Sequence, residues 1–229
     1  MRRKNLSIIL LVPLFVVWPG VPSFGQRLPN LGEIKQRLIQ YKKSGAYERD
    51  IAKVTTKAQK FIEKRAPRVN KPAMILDIDE TSLSNWVELV ANDFGYFPGG
   101  TCDSLPAGPC GVHSWELSAR ADAIAPTLTL YKAARAKGVA VFFISGRPVN
   151  EQAATEENLR KVGYDGWAGM ALKPIGDSTP VDAFKTAERK KIAAQGFTII
   201  ANIADQPSDL RGGYAERTFL IPDPFYRIP

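Results

Sequence analysis

The run Ala73-Met74-Ile75-Leu76-Asp77-Ile78-Asp79-Glu80-Thr81 constrains the fold more than any other stretch of this chain. Four apolar residues pass directly into two carboxylates two positions apart, the pattern of a strand buried on both faces that ends in polar chemistry. Strand alternation puts Asp77 and Asp79 on one side. Because the strand ends there, both are expected in the crevice beyond its carboxyl end, where open parallel α/β sheets hold their ligands. Two carboxylates so close repel each other, so one holds a proton or a cation lies between them. One ionised nucleophile beside one acid is a useful pair for catalysis. A simpler reading of the same residues is that Asp79, Thr81 or Ser82 caps a following helix.

The rest of the chain supplies the context. Leu31–Lys43 and Tyr47–Arg65 carry apolar residues at helical spacing (Leu31, Ile34 and Leu38, then Ile51, Val54, Ala58 and Ile62) and are expected to form an amphipathic helical arm over 26–66. Pro67 and Pro72 bracket the entry to the core, 67–229. Periodicity fades over about 82–125, a stretch rich in Gly, Pro and aromatics that reads as a small cap insertion over the crevice. Most of its aromatics are expected to pack rather than bind, and His113, the single histidine, reads as an ordinary loop residue. A helix from Pro126 stops at Gly138, and Val139–Ile144 follows as a strand ending in Ser145-Gly146-Arg147-Pro148. A helix from about Asn150 to Val162, a strand over Trp167–Leu172, a helix over Val181–Ala194, a strand over Phe197–Ala204 and a strand over Thr218–Ile221 complete the alternation. The expected fold is therefore α/β: a three-layer, Rossmann-like parallel sheet with helices on both faces.

At 229 residues and 45% hydrophobic content, the chain can bury one sizeable core. Arg2, Arg3 and Lys4 precede an apolar run from Ile8 to Trp18, and Ser23 and Gly25 stand at the −3 and −1 positions of a cleavage site, so 1–25 reads as a signal peptide. The run is well short of the roughly 20 residues that span a bilayer, which predicts no membrane attachment after cleavage. No cysteine lies near the cleavage point to carry a lipid. The expected location is therefore periplasmic or extracellular. The net charge of +8 is spread through Lys/Glu-mixed helices without a dense basic tract, which argues against a dedicated nucleic-acid role. Cys102 and Cys110 share one Gly/Pro-rich stretch of an exported chain, which predicts a local disulfide.

Three strands thus end in polar groups that would converge on one edge of the sheet. The carboxylates of Asp77, Asp205 and Asp209, with a backbone carbonyl at Asp79, offer an all-oxygen site suited to a hard cation such as Mg²⁺. Ser145 offers a hydroxyl and Gly146 a close backbone approach, both suited to a phosphate oxygen. Lys185 offers a compact positive charge. Each element also fits a plainer role: Ser-Gly-Arg makes an ordinary turn, Lys185 a solvated helix residue, and Asp205 and Asp209 helix caps.

In order and placement these elements resemble the haloacid dehalogenase (HAD) superfamily. The first motif is Asp77-Ile78-Asp79-Glu80-Thr81, the second Ser145-Gly146-Arg147, the third Lys185, and the fourth Asp205 with Asp209. The flanking residues Ile75–Asn85 and Asn202–Leu210 are similar to subfamily IIIB, the acid phosphatases that include bacterial class C enzymes and plant acid phosphatase-like storage proteins. Ala204 departs from the Gly that usually opens the fourth motif. The resemblance implies a Mg²⁺-dependent hydrolase of small phosphomonoesters, nucleotides among them, with Asp77 as nucleophile, Asp79 as acid and then base, and Ser145 and Lys185 on the phosphate. Metal ligation falls to Asp77, Asp79 and Asp205, with Asp209 orienting a metal-bound water or Lys185. A carboxylic acid at Asp79 suits an alkoxide leaving group rather than halide, which needs no proton. Non-catalytic storage, phosphoryl transfer to an alcohol, and a homodimer joined through the N-terminal helices remain open on the same residues.

Overall fold

The structure is a computed structural model and describes residues 28–228; the expected signal peptide lies outside them. Strands β1 (Pro72–Leu76), β4 (Ala140–Pro148), β5 (Gly169–Lys173), β6 (Thr198–Ala204) and β7 (Arg217–Leu220) form one sheet in the order β5-β4-β1-β6-β7, every pairing parallel. A parallel sheet has two faces to cover, and the alternation of β1 divides them. Met74 and Leu76, with Val141 and Phe143 of β4, face a core shared with α2 (Ala46–Arg65), α5 (Ala125–Ala136) and α6 (Gln152–Lys161). Ala73 and Ile75, with Phe142 and Ile144, face Phe184 and Ile192 of α7 (Val181–Ala194). The result is the expected three-layer α/β architecture.

The chain leaves β1 for β4 and β5 on one side, then crosses to β6 on the other, so the order reverses beside β1. Such a reversal opens a crevice at the carboxyl ends of the strands. Leu76 pairs with Phe143 on one side and Ile203 on the other, and the Asp77 amide donates to the Ile203 carbonyl at 3.1 Å. This register brings Asp77, Ser145 and Asp205 out of three adjacent strands at nearly one level. β4 is longer than its apolar run: it continues through Ser145-Gly146-Arg147 to Pro148, with a register shift between Ser145 and Pro148.

Helices α1 (Leu31–Lys43) and α2 precede the sheet. α2 buries Ile51, Ala58 and Ile62 as its periodicity requires; α1 fully buries no residue and leaves Leu31 exposed, but Leu38 and Tyr41 pack against the core and Lys35 pairs with Asp93 of the insertion. The insertion contains α3 (Trp86–Ala91) and α4 (Val112–Leu117) and is pinned at its base by a two-residue antiparallel pair, β2 (Leu83–Ser84) with β3 (Asp122–Ala123). A Cys102–Cys110 disulfide and the Asn92 side chain, which exchanges hydrogen bonds with the Cys110 backbone at 2.7 and 2.8 Å, fix its loop. Trp86 and Phe94 of the insertion meet Phe225 of the C-terminal segment at ring-centroid distances of 5.3 and 6.2 Å, so these aromatics pack, as expected.

The loop after β6 is held from below by Arg189 of α7, which is 1% exposed and donates to the backbone carbonyls of Asp209, Arg211 and Gly213. Replacing it with an apolar isostere leaves those carbonyls without donors. Arg189→Met should lower the unfolding free energy by about 3 kcal/mol; a loss below about 1 kcal/mol in urea denaturation would mean that water satisfies the loop equally well.

Candidate active site

Asp77 and Asp205 follow the ends of β1 and β6, Asp209 lies in the short helical turn Pro207–Leu210 beyond β6, and Lys185 stands in the second turn of α7. All four are buried. Lys185 Nζ lies 2.9 Å from Asp77 Oδ1 and 2.8 Å from Asp209 Oδ1. Asp205 accepts hydrogen bonds from Thr81 Oγ1 at 2.9 Å and Gln206 Nε2 at 2.7 Å. One carboxylate oxygen from each of Asp77, Asp205 and Asp209 falls within 4.8 Å of the others. Asp77 Oδ1 and both Asp209 oxygens are buried with no aligned hydrogen-bond donor. Three buried carboxylates facing one ammonium leave an excess of negative charge, and hard oxygen donors so arranged fit a divalent cation.

The titration behaviour follows from that excess. Burial pushes the Asp77 carboxyl well above the usual range, with Asp209 and Asp79 adding to it and Lys185 opposing. Burial and the charge of Asp77 raise Asp205 to about 7. Burial works against the charge of Lys185, but Asp77 and Asp209 outweigh it and raise the ammonium to about 12.

Asp79 is different. Ile78 between the two aspartates is fully buried in the opposite direction, so both carboxylates emerge on the cavity side. There Arg147 grips Asp79 through Nη2 at 2.6 Å and Nε at 3.0 Å, and Asn85 Nδ2 donates to it at 2.8 Å. Burial alone would raise its pKa, but the guanidinium and the amide hold it below the usual range. Burial thus favours the protonated form of Asp77, while Arg147 and Asn85 favour the ionised form of Asp79. The difference follows from the placement of the cations: Arg147 grips Asp79 at 2.6 Å and reaches Glu116 only at 3.6 Å, while Lys185 is divided between Asp77 and Asp209. The Asp79 carboxylate also lies outside the three-aspartate cluster.

Ser145 is buried, and its Oγ accepts from the Arg147 amide at 3.1 Å, which leaves the hydroxyl hydrogen free to point elsewhere. Ser145, Lys185, Asp77 and Asp79 line one cavity of about 380 Å³ whose outer wall comes from the insertion through Phe94, Tyr96 and His113. His113 is not the ordinary loop residue its surroundings in sequence suggest. It sits on α4 with Nδ1 2.7 Å from Glu151 Oε1, because the insertion folds back against the start of α6. Sequence reasoning also missed Glu80, which accepts from the Asn85 amide and Tyr226 hydroxyl, and Glu116, which lies 3.6 Å from Arg147. Glu80 lies within the first motif and could have been assigned a role from that position; nothing in the charge pattern separates Glu116 from a solvated helix residue.

A parallel sheet with aspartates and a buried lysine at its topological reversal defines the class: a three-layer α/β protein whose site is built on strand ends. Residues 31–229 match the model of the HAD superfamily, subfamily IIIB (Acid phosphatase), and the chain belongs to that family. It is 42% identical over 118 residues to the stem 28 kDa glycoprotein of Glycine max, a match covering 50% of this chain and 46% of that protein. The chain thus spans about half the length of the curated relatives it matches with this identity. Acid phosphatase 1 of Solanum lycopersicum is 27% identical over 217 residues, 93% of this chain and 81% of that protein. The fold is similar to that of the class C acid phosphatase from Bacillus anthracis, with a TM-score of 0.68, 21% identity and 86% of both chains covered.

A carboxyl whose folded pKa is raised keeps a proton that the unfolded chain has lost. Its contribution to stability is complete below the unfolded pKa and disappears as pH rises through the folded one. Burial raises Asp205 to about 7 and Asp223 to about 8. In EDTA, the thermal midpoint should therefore fall as pH rises from about 5 to about 8. A midpoint that climbs steadily across that window would show that the cluster ionises without cost.

Proposed function

We propose that the protein is a phosphomonoesterase, an acid phosphatase hydrolysing small phosphomonoesters with Mg²⁺ as cofactor through a phosphoryl group carried on Asp77. The observation that carries this reading is the meeting of Asp77, Asp205 and Asp209 with Lys185 at the reversal of the sheet, where three carboxylate oxygens gather within 4.8 Å. Asp77, Asp205 and Asp209 would hold Mg²⁺, with the backbone of Asp79 completing the set. When bound, the ion supplies positive charge to the phosphate oxygens and to the ionised form of Asp77. Asp77 attacks phosphorus in line, forming one Oδ–P bond as the bond to the leaving oxygen breaks. Lys185 balances the charge on the phosphate, and the free hydrogen of Ser145 donates to one of its oxygens.

Asp79 gives the leaving alkoxide a proton and later takes one from the water that opens the acyl phosphate. Its pairing with Arg147 suits the second role from the outset. For the first role that pairing must loosen, so Arg147 governs when Asp79 acts as an acid. The volume of the cavity, with Phe94 and Tyr96 in its wall, suits small esters and a nucleoside base stacked on an aromatic ring. Export is supported by the disulfide, which persists in oxidising compartments, and by the composition of residues 1–25. Among the described residues no helix is long and apolar enough to cross a membrane.

A second reading, a storage or binding role on the same fold, is favoured by the relatives named stem glycoproteins and vegetative storage proteins. Hydrolysis of p-nitrophenyl phosphate, with Mg²⁺ and with EDTA, separates the two. Turnover should depend on metal and vanish in Asp77→Asn; no turnover by the wild type from acid to neutral pH favours the second reading. Asp79→Asn should slow hydrolysis of an alkyl phosphate by about 10²–10⁴-fold. The loss should be smaller on p-nitrophenyl phosphate, whose leaving group needs less protonation. Equal losses on both esters would remove the acid role from Asp79. Product analysis with added glycerol distinguishes hydrolysis from phosphoryl transfer.

A further inference from the structure

We infer that His113, Glu116 and Glu151 form a second cation site, distinct from the strand-end aspartates, that takes a divalent transition-metal ion such as Zn²⁺. One donor atom from each residue falls within 4.8 Å of the others, and His113 Nδ1 lies 2.7 Å from Glu151 Oε1 and 3.5 Å from Glu116 Oε2. His113 and Glu116 stand three residues apart on one face of α4, while Glu151 comes from the turn before α6. The independent sign of a missing ligand is at the carboxylates. Glu116 and Glu151 are 8% and 1% exposed, yet Glu116 Oε2 and Glu151 Oε2 have no hydrogen-bond partner. A buried carboxylate oxygen left unpaired is costly unless a proton or a cation meets it.

Charge points to the same place. The Arg147 guanidinium lies 2.6 Å from Asp79 and 3.6 Å from Glu116, and the charge of Glu151 acts on it as well, so one cation faces three carboxyl groups. Imidazole together with carboxylates selects first-row transition metals, whereas the all-oxygen aspartate cluster suits Mg²⁺, so the two sites divide the ions between them. His113 is half-exposed and lines the cavity, which provides the entry path and an open coordination position. An ion here would cross-link the insertion to the core beside the cavity and set how closely the wall stands over a bound substrate.

The chain contains one histidine, so imidazole resonances from an untagged protein report this site alone. With the aspartate cluster saturated by Mg²⁺, one equivalent of Zn²⁺ should shift the ¹⁵N resonance of His113 Nδ1, while Mg²⁺ alone should leave it in place. Glu116→Gln keeps the shape and removes one anionic donor, and His113→Ala removes the half-exposed ligand. Each should weaken Zn²⁺ binding by about tenfold or more in competition with a chromophoric chelator. Zinc that binds without moving the imidazole resonance, an affinity unchanged in both variants, or no binding by the wild type would each overturn the assignment. None of these readouts depends on turnover, so they stand or fall separately from the phosphatase reading.

Discussion

Mutual repulsion among buried carboxylates at the ends of β1 and β6 is the constraint on which the rest of this structure depends. Asp77, Asp205 and Asp209 could not be held together without compensation, and the fold supplies it from below through Lys185 on α7. That lysine is placed by Phe184 and Ile192, which pack on the opposite face of the sheet from α2 and α5. The loop carrying Asp209 is in turn held to α7 by Arg189. One helix thus stabilises the core, fixes the loop and delivers the charge, which is why the site is rigid on the side where a metal and a phosphate would need fixed partners.

The opposite wall follows another logic. Asp79 is turned away from the cluster by Arg147 and Asn85, and Arg147 also meets Glu116 of the insertion. The insertion is therefore joined to the chemistry by charge as well as by packing. Its hairpin base, its disulfide and the contact of Trp86 and Phe94 with Phe225 restrict its motion, while His113 and Tyr96 remain at the cavity edge. Storage proteins and acid phosphatases occur together among the relatives, and a shared fold does not by itself carry the chemistry. In this chain Asp77, Asp79, Ser145 and Lys185 line one cavity, and Asp205 and Asp209 gather beside Asp77.

Much of this was legible before any coordinates. The apolar run Ala73–Leu76 ending at Asp77, the run Val139–Ile144 ending at Ser145, and Phe197–Ala204 ending at Asp205 each announce a buried parallel strand, because only strands covered on both faces are continuously apolar. Three such strands separated by helical periodicity dictate a parallel sheet with right-handed crossovers, and hence polar ends on one edge. The same local rules placed Lys185 on α7 and paired the only two cysteines. They failed at His113, whose partner Glu151 is distant in sequence.

By itself, then, the sequence determined the three-layer sheet, the strand-end aspartates, the disulfide and the family, since all of these follow from periodicity, spacing and short motifs. Tertiary structure alone decided which cation serves which carboxylate. Arg147 is given to Asp79, and Lys185 is divided between Asp77 and Asp209. It also decided that Glu116 and Glu151 are buried beside His113. The physical reason is that charge interactions act through space over a few ångströms at a strength set by burial, and neither distance nor burial between remote residues is written in local sequence.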